Sequence, residues 1–172
     1  MPANHMLKKA LFVGRFQPLH KGHVHEMERL FKEYAYVTIA IGSVNKRDED
    51  NPFPYQLRRA MLLSSLEKYR GRFRIVGQAD LNDDSAWAKS IKRKAVFDVA
   101  ISGNARVRRC FQSIGMKTIE PVFYKPGIYS GTRIRKLINE QKRWQHLVPK
   151  EAAAIVENYM GHGPFEFRKK QY

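Results

Sequence analysis

The stretch ALFVGRFQPLHKGHVHEMERLFKEYAYVTIAI, residues 10–41, decides the fold. It begins with a short apolar run, residues 10–13, and ends with a β-branched run, residues 36–41. Runs of this kind, closed by glycine, are typical of buried strands. Between them, apolar side chains recur at helical spacing, at Val24, Met27, Leu30 and Phe31. A strand, a helix and a second strand in this order predict neighbouring parallel strands in one sheet.

The same alternation continues to the end of the chain. Further strands are predicted over residues 73–76, 96–101 and 118–123. Further helices are predicted over residues 55–69, 87–94, 106–114, 130–140 and 149–160. The sequence therefore predicts an α/β fold, Rossmann-like and doubly wound, with a mainly parallel sheet of five to six strands and helices on both faces. We expect one domain over residues 8–160 and a basic tail over residues 161–172.

Composition excludes several classes of protein. The chain has 172 residues, 43% of them hydrophobic, which is enough to build a core and excludes a wholly disordered chain. Its single cysteine, Cys110, excludes an intramolecular disulfide and a cysteine-rich zinc site. No apolar run reaches the ~18–20 residues of a membrane span, and the first residues lack the apolar core of a secretory signal. We therefore expect a cytoplasmic protein with no membrane partner.

The charge is strongly basic. Lys and Arg number 32 against 16 Asp and Glu, a net charge of +16. Such an excess indicates a polyanionic partner, whether nucleic acid, nucleotide phosphates or an anionic membrane. A basic surface kept for solubility is the alternative, because the charge is spread along the chain. A nucleic-acid-binding protein is the alternative from a different class, although no RRM, KH or zinc-finger pattern is present, so we expect no nucleic acid.

The loop after the first strand, GRFQPLHKGH over residues 14–23, is the strongest candidate site. Ligands bind at the carboxyl ends of parallel strands, and a helix N-terminus offers unpaired N–H groups to a phosphate. An isolated H-x-x-H would fit an incidental pair or a weak metal site. The loop combines permissive glycines, cations and imidazole donors, at Gly14 and Gly22, Arg15 and Lys21, and His20 and His23. This combination predicts a phosphate-binding site.

A second candidate lies far downstream, at YSGTRIR over residues 129–135. Ser130 and Thr132 can cap a helix and also donate to phosphate oxygens. Arg135, on the first turns of that helix, can bind the same anion with a planar fork. Taken alone, the segment fits an ordinary capped basic helix. Beside the first motif it predicts a second set of phosphate contacts.

Both motifs carry a resemblance. His20-Lys21-Gly22-His23 matches the H-x-G-H signature of the nucleotidylyltransferase superfamily, and the longer string G-R-F-Q-P-x-H-x-G-H resembles the nicotinamide-nucleotide adenylyltransferases of the archaeal type. Ser130, Thr132 and Arg135 match that family's second signature, S-x-T-x-x-R. The resemblance implies adenylyl transfer from ATP to nicotinamide mononucleotide (NMN), giving NAD and pyrophosphate. It also implies Mg²⁺ that arrives with ATP, and a homo-oligomer.

The resemblance assigns roles to individual residues. It makes three residues catalytic, His20, His23 and Arg135. It assigns ATP binding to Gly14, Arg15, Phe16, Gln17, Lys21, Gly22, Ser130 and Thr132. It assigns mononucleotide binding to Gly42, Ser43, Arg47, Asp80, Asp84, Trp87, Gly103 and Asn104, with Lys46 a further candidate for the phosphate. No protein ligand to a metal is expected, because Mg²⁺ is held largely by substrate and water.

The identity of the acceptor depends most on Trp87. In the resembled family a tryptophan here stacks on the nicotinamide ring, and indole is the best partner for a flat cation. Asp80 and Asp84 would favour the same cation. A core tryptophan is the alternative interpretation, and another H-x-G-H enzyme, with FMN or phosphopantetheine as acceptor, is the alternative function. In the resembled family the string N-P-F is followed by T-A-G-E-R. This chain has the N-P-F, but of the five residues that follow it keeps only the arginine, Arg58.

Overall fold

One sheet of five parallel strands organises residues 8–162, the part of the chain that this computed structural model describes. The strands are β1 (Lys9–Gly14), β2 (Tyr36–Ile41), β3 (Phe73–Gly77), β4 (Val99–Ile101) and β5 (Lys117–Ile119). Their order in the sheet is β3-β2-β1-β4-β5, and every neighbouring pair is parallel. The predicted parallel α/β sheet is confirmed.

Within the described residues, six helices cover the two faces of this sheet. They are α1 (Lys21–Glu33), α2 (Tyr55–Ser65), α3 (Asp84–Lys94), α4 (Ala105–Gln112), α5 (Gly131–Asn139) and α6 (Lys150–His162). Successive side chains of β1 alternate between two cores: Ala10 and Phe12 belong to the core with α1, α2, α5 and α6, and Leu11 and Val13 to the core with α3 and α4. The predicted doubly wound arrangement is therefore confirmed.

The position of β1 explains where a ligand can bind. It lies at the centre of the sheet, paired with β2 on one side and β4 on the other. Burial on both faces accounts for its unbroken apolar run, because a central parallel strand exposes neither face. The chain crosses from β1 to β2 in one direction and later reaches β4 on the opposite side. Ligands bind at such a reversal, beyond the carboxyl ends of the strands.

Two strands are shorter than the sequence predicts. The fourth begins at Val99 rather than at residue 96, because Val96 is 76% exposed and lies off the sheet. The fifth ends at Ile119 rather than at residue 123. Pro121 has no N–H to continue the ladder, and the exposed residues Val122 and Phe123 follow it. Both errors came from reading an apolar run as continuous strand.

The second and third helices differ most from the prediction. The third helix begins at Asp84, three residues before the prediction, because Asp83 caps it by accepting a hydrogen bond from the Ala86 N–H. The second ends at Ser65 and is followed by a 3-10 turn, Glu67–Tyr69. A further 3-10 turn, Gln145–Leu147, was not predicted.

The last helix, α6, runs to His162, two residues past the predicted end of the domain. Most of the predicted basic tail, from residue 163 onward, lies outside the described residues, so the division into domain and tail stays a prediction. Within residues 8–162, no helix has both the length and the apolar character needed to cross a membrane.

Candidate active site

A cleft of about 1020 Å³ opens at the carboxyl edge of the sheet. The loops that follow all five strands contribute to its walls, as do the first turns of several helices. Its volume is at the upper end of the range of about 300–1,000 Å³ for ligand sites. It brings together most of the predicted residues, namely Gly14, Arg15, His20, Gly22, His23, Gly42, Ser43, Asp80, Asp84, Trp87, Gly103, Asn104, Ser130 and Thr132.

The two histidines cap the first helix and each other. His20 is the N-cap of α1, and its Nδ1 accepts a hydrogen bond from the His23 N–H at 3.3 Å. In return, the Nδ1 of His23 accepts from the His20 N–H at 3.3 Å. The rings stack with centroids 3.6 Å apart. Because Nδ1 is the acceptor in both bonds, each neutral ring carries its proton on Nε2. Both residues therefore keep one N–H donor for a ligand.

The stacked pair is uncharged at neutral pH. Burial lowers the pKa of His20 from 6.5 to about 4. Burial also lowers the pKa of His23 well below 6.5, and the neighbouring His20 lowers it further. Two imidazoles in contact cannot both take up a proton without repulsion. The pair therefore offers neutral hydrogen-bond donors, and the positive charge of the site comes from other residues.

The glycines of the first motif make room for rings. Phe16 adopts a left-handed backbone conformation, with φ of 53°, and its ring lies 4.8 Å from that of His23. A Cβ on Gly14 would lie 2.9 Å from the Phe16 ring, and one on Gly22 would lie 3.1 Å from Nδ1 of His20. Phe16, predicted to bind ATP, does not line the cleft; it is buried and supports His23 from behind.

Gln17 joins the two motifs rather than lining the cleft. Its side chain donates to the Phe53 carbonyl at 3.0 Å and accepts from the Phe53 N–H at 2.9 Å. Its own carbonyl accepts a hydrogen bond from Nη1 of Arg135 at 3.0 Å. A Cβ on Gly131 would lie 2.9 Å from that carbonyl, so this position requires a glycine. The loop before α1 and the first turn of α5 are thus in direct contact.

Arg135 is held by two partners just behind the cleft. Its Nη2 donates to the Asp50 carboxylate at 2.6 Å, in addition to the bond from Nη1 to Gln17. Arg135 does not line the cleft itself, but its Nη1 lies beside Gly131, which does. Ser130 caps α5 by accepting from the Arg133 N–H at 3.2 Å. Asp50 was not predicted, because nothing in its local sequence distinguishes it from its acidic neighbours.

Two predicted phosphate-binding cations lie away from the cleft. Lys21 is exposed on the first turn of α1. Arg47 donates to the Pro52 carbonyl and to the Tyr159 hydroxyl, which ties its loop to α6. Lys46 lines the cleft in place of Arg47. Within residues 8–162, Lys46 and Arg15 are cleft-lining cations that form no ion pair.

A buried arginine lies beneath the loops that follow β1 and β2. Arg58 is fully buried, and its Nη1 donates to the carbonyls of Arg15 and Gly42, both at 2.8 Å. Burial lowers its pKa to about 10, and repulsion from Arg15 and Arg47 adds to the effect, so the group is charged at neutral pH. Arg58 therefore ties two walls of the cleft to one side chain. From the sequence, Arg58 was noted only as the one residue of the family's T-A-G-E-R string that this chain keeps.

Residues 11–137 match the cytidylyltransferase-like family. A nicotinamide-nucleotide adenylyltransferase of Thermococcus sibiricus is 35% identical over 158 residues, which cover 89% of this chain and 85% of that protein. One of Methanococcus aeolicus is 33% identical over 155 residues, which cover 89% of this chain and 90% of that protein. The chain belongs to the nicotinamide-nucleotide adenylyltransferase family.

Solved structures agree on the fold. A bifunctional NMN adenylyltransferase/ADP ribose pyrophosphatase from Francisella tularensis superposes with a TM-score of 0.79 at 21% identity. The match covers 94% of this chain and 52% of that one, so the chain spans about half of its length. A second structure of that bifunctional protein, complexed with AMP and a Mn ion, gives a TM-score of 0.77 at 22% identity.

One side of the cleft is built around Trp87. The indole is 7% exposed and packs edge-to-face on Phe111, with ring centroids 5.7 Å apart. It therefore belongs both to the core under α3 and to the cleft wall. Nearby, Arg106 donates to Asp84 at 2.8 Å and holds the pKa of that carboxyl below its usual value. Asp80 accepts from the Ser43 hydroxyl at 3.1 Å.

One wall of the cleft was not predicted. It is formed by residues 121–126, which the sequence had assigned to strand and loop. Phe123 lies over Gly103, where a Cβ would be 3.0 Å from its ring. Tyr124 stacks on His25 of α1, with centroids 4.1 Å apart, and lies parallel to Tyr129. Pro121 and the density of aromatic residues after it were the signal that could have revealed this wall.

A metal cage is not among the features of this cleft. Between residues 8 and 162, no cluster of three or more His, Cys, Asp or Glu side chains is arranged to hold a metal ion. Glu26 lines the cleft, but Arg29 binds its carboxylate at 2.6 Å. The expectation that the protein supplies no metal ligand stays a prediction.

Proposed function

We propose that the protein transfers the adenylyl group of ATP to NMN, forming NAD and releasing pyrophosphate. The observation that carries the proposal is the meeting of the two motifs at one cleft, where Arg135 of the second donates to the carbonyl of Gln17 in the first. Relatives about one-third identical over nearly the whole chain are nicotinamide-nucleotide adenylyltransferases. The basic charge of the chain then has an explanation, because both substrates are phosphate anions.

The reaction makes one bond and breaks one bond at the α-phosphorus of ATP. A 5′-phosphate oxygen of NMN attacks that phosphorus, and pyrophosphate leaves with the electron pair of the broken P–O bond. The attacking phosphate is already ionised at pH 7, so no general base is needed. The barrier comes from repulsion between anions and from charge that develops on the leaving group. Positioning and electrostatic stabilisation therefore supply the catalysis.

The residues of the first motif act as donors and cations. His20 and His23 donate Nε2–H to phosphate oxygens, and their low pKa values keep these donors neutral at physiological pH. Arg15 supplies a cation that forms no ion pair within the described chain and is therefore available to the triphosphate. The N-terminus of α1 adds its dipole and its remaining N–H groups. Together they stabilise the negative charge that accumulates in the transition state.

The residues of the second motif bind the far end of the triphosphate. Ser130 keeps its O–H for donation, because its oxygen accepts the capping bond from Arg133. Thr132 is exposed at the cleft on the first turn of α5, and Arg135 supplies the planar fork. Lys46 lines the cleft and adds positive charge near the phosphates, and Lys21 adds charge from outside the cleft wall. Mg²⁺ enters as part of the ATP substrate, held by phosphate oxygens and water.

Family membership supports two further proposals about the protein in the cell. It acts in the cytoplasm, where ATP and NMN are available, and it assembles as a homo-oligomer. Neither nucleic acid nor a membrane is needed as a partner for this reaction.

A panel of acceptors tests the function directly. Purified protein, ATP and Mg²⁺ are incubated with NMN, nicotinate mononucleotide, FMN or phosphopantetheine, and pyrophosphate and the dinucleotide product are quantified. NMN should give NAD and pyrophosphate in equal amounts. Turnover with FMN or phosphopantetheine and none with NMN would contradict the proposal. The same panel decides between nicotinamide and nicotinate.

Trp87 offers a test of the acceptor subsite with a matched control. Trp87→Phe keeps an aromatic ring with a weaker quadrupole, and should raise KM for NMN by about two- to fivefold while KM for ATP changes little. Trp144 is equally buried but does not line the cleft. Trp144→Phe should lower the melting temperature without changing the ratio of the two KM values. If both variants alter only stability, Trp87 is a core residue alone.

A further inference from the structure

The ion pair between Arg135 and Asp50 joins a buried cation to an exposed anion. The Arg135 side chain is 8% exposed, whereas that of Asp50 is 71% exposed. Asp50 lies in the loop between β2 and α2, and its carboxylate is 2.6 Å from Nη2 of Arg135. The other end of the guanidinium is fixed, because Nη1 donates to the buried Gln17 carbonyl at 3.0 Å. Asp50 is therefore the partner that a ligand can replace.

The guanidinium lies directly behind the part of the cleft that the N-terminus of α5 forms. Its Nη1 is beside Gly131, and Ser130, Gly131 and Thr132 line the cleft at the N-terminus of that helix. A helix N-terminus and a guanidinium attract the same kind of group, an anion with several oxygen acceptors. Within residues 8–162, Asp50 is the carboxylate that pairs with Arg135.

We propose that Asp50 occupies, in the free enzyme, the position at Arg135 that a terminal phosphate oxygen of ATP takes on binding, and that it thereby lowers the affinity for ATP. The inference rests on the proposed function. A carboxylate oxygen and a phosphate oxygen accept the same N–H bonds from a guanidinium. Because Nη2 of Arg135 is already bound to Asp50, an incoming phosphate must displace that carboxylate. It does not bind to a free cation.

The exchange discriminates among ligands by the length of their phosphate chain. ATP and pyrophosphate have phosphates that reach Arg135, so they displace Asp50. AMP lacks those phosphates and leaves the pair intact. Asp50 is largely exposed, so its pairing with Arg135 contributes only modestly, and removing it should tighten ATP binding by about two- to fivefold.

The experiment compares two variants that remove one negative charge from the same loop. Asp50→Asn keeps the size of the side chain and an oxygen for Arg135. Glu49→Gln is the matched control, because Glu49 is exposed and forms no ion pair in the described chain. Titration calorimetry measures binding of Mg²⁺–ATP, pyrophosphate and AMP without acceptor. ATP and pyrophosphate should bind two- to fivefold more tightly to Asp50→Asn than to Glu49→Gln, and AMP equally to both.

A double-mutant cycle identifies the route of the effect. In an Arg135→Gln background, Asp50→Asn should no longer change ATP affinity, because the competition acts through the guanidinium. Equal ATP affinity of Asp50→Asn and Glu49→Gln would overturn the inference, and weaker binding by Asp50→Asn would mean that Asp50 orients Arg135 for ATP. Both results leave the proposed function standing if the parent enzyme binds ATP and makes NAD. A parent that binds no ATP overturns both.

Discussion

The helices α1 and α5 both begin at the cleft with a side-chain cap and a predicted catalytic residue, but their contacts differ in range. At α1 the two histidines cap each other, and each contact spans three residues. At α5 the cap is again local, from Ser130 to Arg133. Arg135, however, donates to Gln17 and Asp50, which are 118 and 85 residues away in the sequence, and its position is fixed by the buried Gln17 carbonyl.

This difference separates two ways of preparing a catalytic group. The histidines are oriented by the first turn of their own helix, so the formation of α1 also fixes the direction of their N–H donors. Arg135 is oriented by the packing of one motif against the other, and it depends on the whole fold. Damage to the first site should therefore affect chemistry and helix together. Damage to the second should act through its partners and leave the helix in place.

The largest effect is expected when the first site is broken. His23→Ala removes a donor to the transition state and should lower kcat by ~10²–10³, as loss of one preorganised donor does elsewhere. It also removes half of the reciprocal cap, so the melting temperature should fall. Steady-state kinetics and thermal melts measure the two effects. Turnover close to that of the parent would remove His23 from the mechanism.

The control for this variant restores the cap without the imidazole. His23→Gln places an amide oxygen at the third helical position, where it can accept the backbone N–H of residue 20. Its melting temperature should return most of the way to that of the parent, and kcat should stay low. A recovery of kcat in step with stability would mean that His23 acts only as a cap.

The second-largest effect is expected on acidification, which should lower the stability of the protein through His20 in the first site. The pKa of His20 is about 4 in the folded state and 6.5 without burial, so the unfolded chain takes up the proton first as pH falls. Its contribution to stability is complete above pH 6.5 and is lost as pH drops toward about 4, at a cost of about 3 kcal/mol. Denaturant unfolding at several pH values measures the loss. His20→Asn, a good cap that does not titrate, should make the profile less steep between these two pH values, and the buried His23 accounts for the slope that remains.

Next in size is the loss expected at the second site. Arg135→Lys keeps the charge but loses the planar fork, in which one nitrogen donates to Gln17 and the other is placed to bind a phosphate. Hydrogen bonds to charged groups contribute ~1.5–3 kcal/mol, so kcat/KM for ATP should fall at least tenfold. Arg133→Lys is the matched control, since Arg133 is exposed and donates to the Gly127 carbonyl. The reverse ranking of the two variants would show that the register of the second motif is wrong.

The smallest effect is expected from removing the cap of α5, which tests whether the cap and the catalytic group are separate at this helix. Ser130→Ala removes the cap of α5 and should cost ~1 kcal/mol of stability. Thr132→Ala, two residues further along, removes no cap and should alter KM for ATP more than the melting temperature. A large loss of kcat from Ser130→Ala, comparable to that of His23→Ala, would mean that the two helix starts are equivalent after all.

The contrast in range also explains what could be predicted from the sequence. The parallel sheet and the motif at α1 follow from patterns within a few residues, such as the apolar run of residues 10–13 and the spacing of His20 and His23. The pairing of Arg135 with Asp50 depends on a fold that brings together residues 85 positions apart. Local patterns do not reveal such contacts, so the sequence did not show that Gln17 and Arg47 hold the loops, and their predicted substrate roles stay predictions.

The strand ends show a second physical limit. The runs at residues 96–101 and 118–123 were read as strand throughout, yet the strands that pair in the sheet are Val99–Ile101 and Lys117–Ile119. Apolar side chains that line a cleft look the same in sequence as those that fill a core. Val122 and Phe123 are of this kind, since they are exposed and form part of the cleft wall.

The reciprocal histidine cap has a consequence for anyone who tries to make this protein more heat-resistant. Serine at the cap and glutamate three residues later form the preferred start of a helix, and α1 has two imidazoles there instead. A library screened only for melting temperature should therefore enrich His20→Ser and His23→Glu, because both improve the cap. Such variants would fold well and no longer present either Nε2–H donor. The most robust descendants of this chain would be its least active ones, so a thermostability campaign must hold both positions constant.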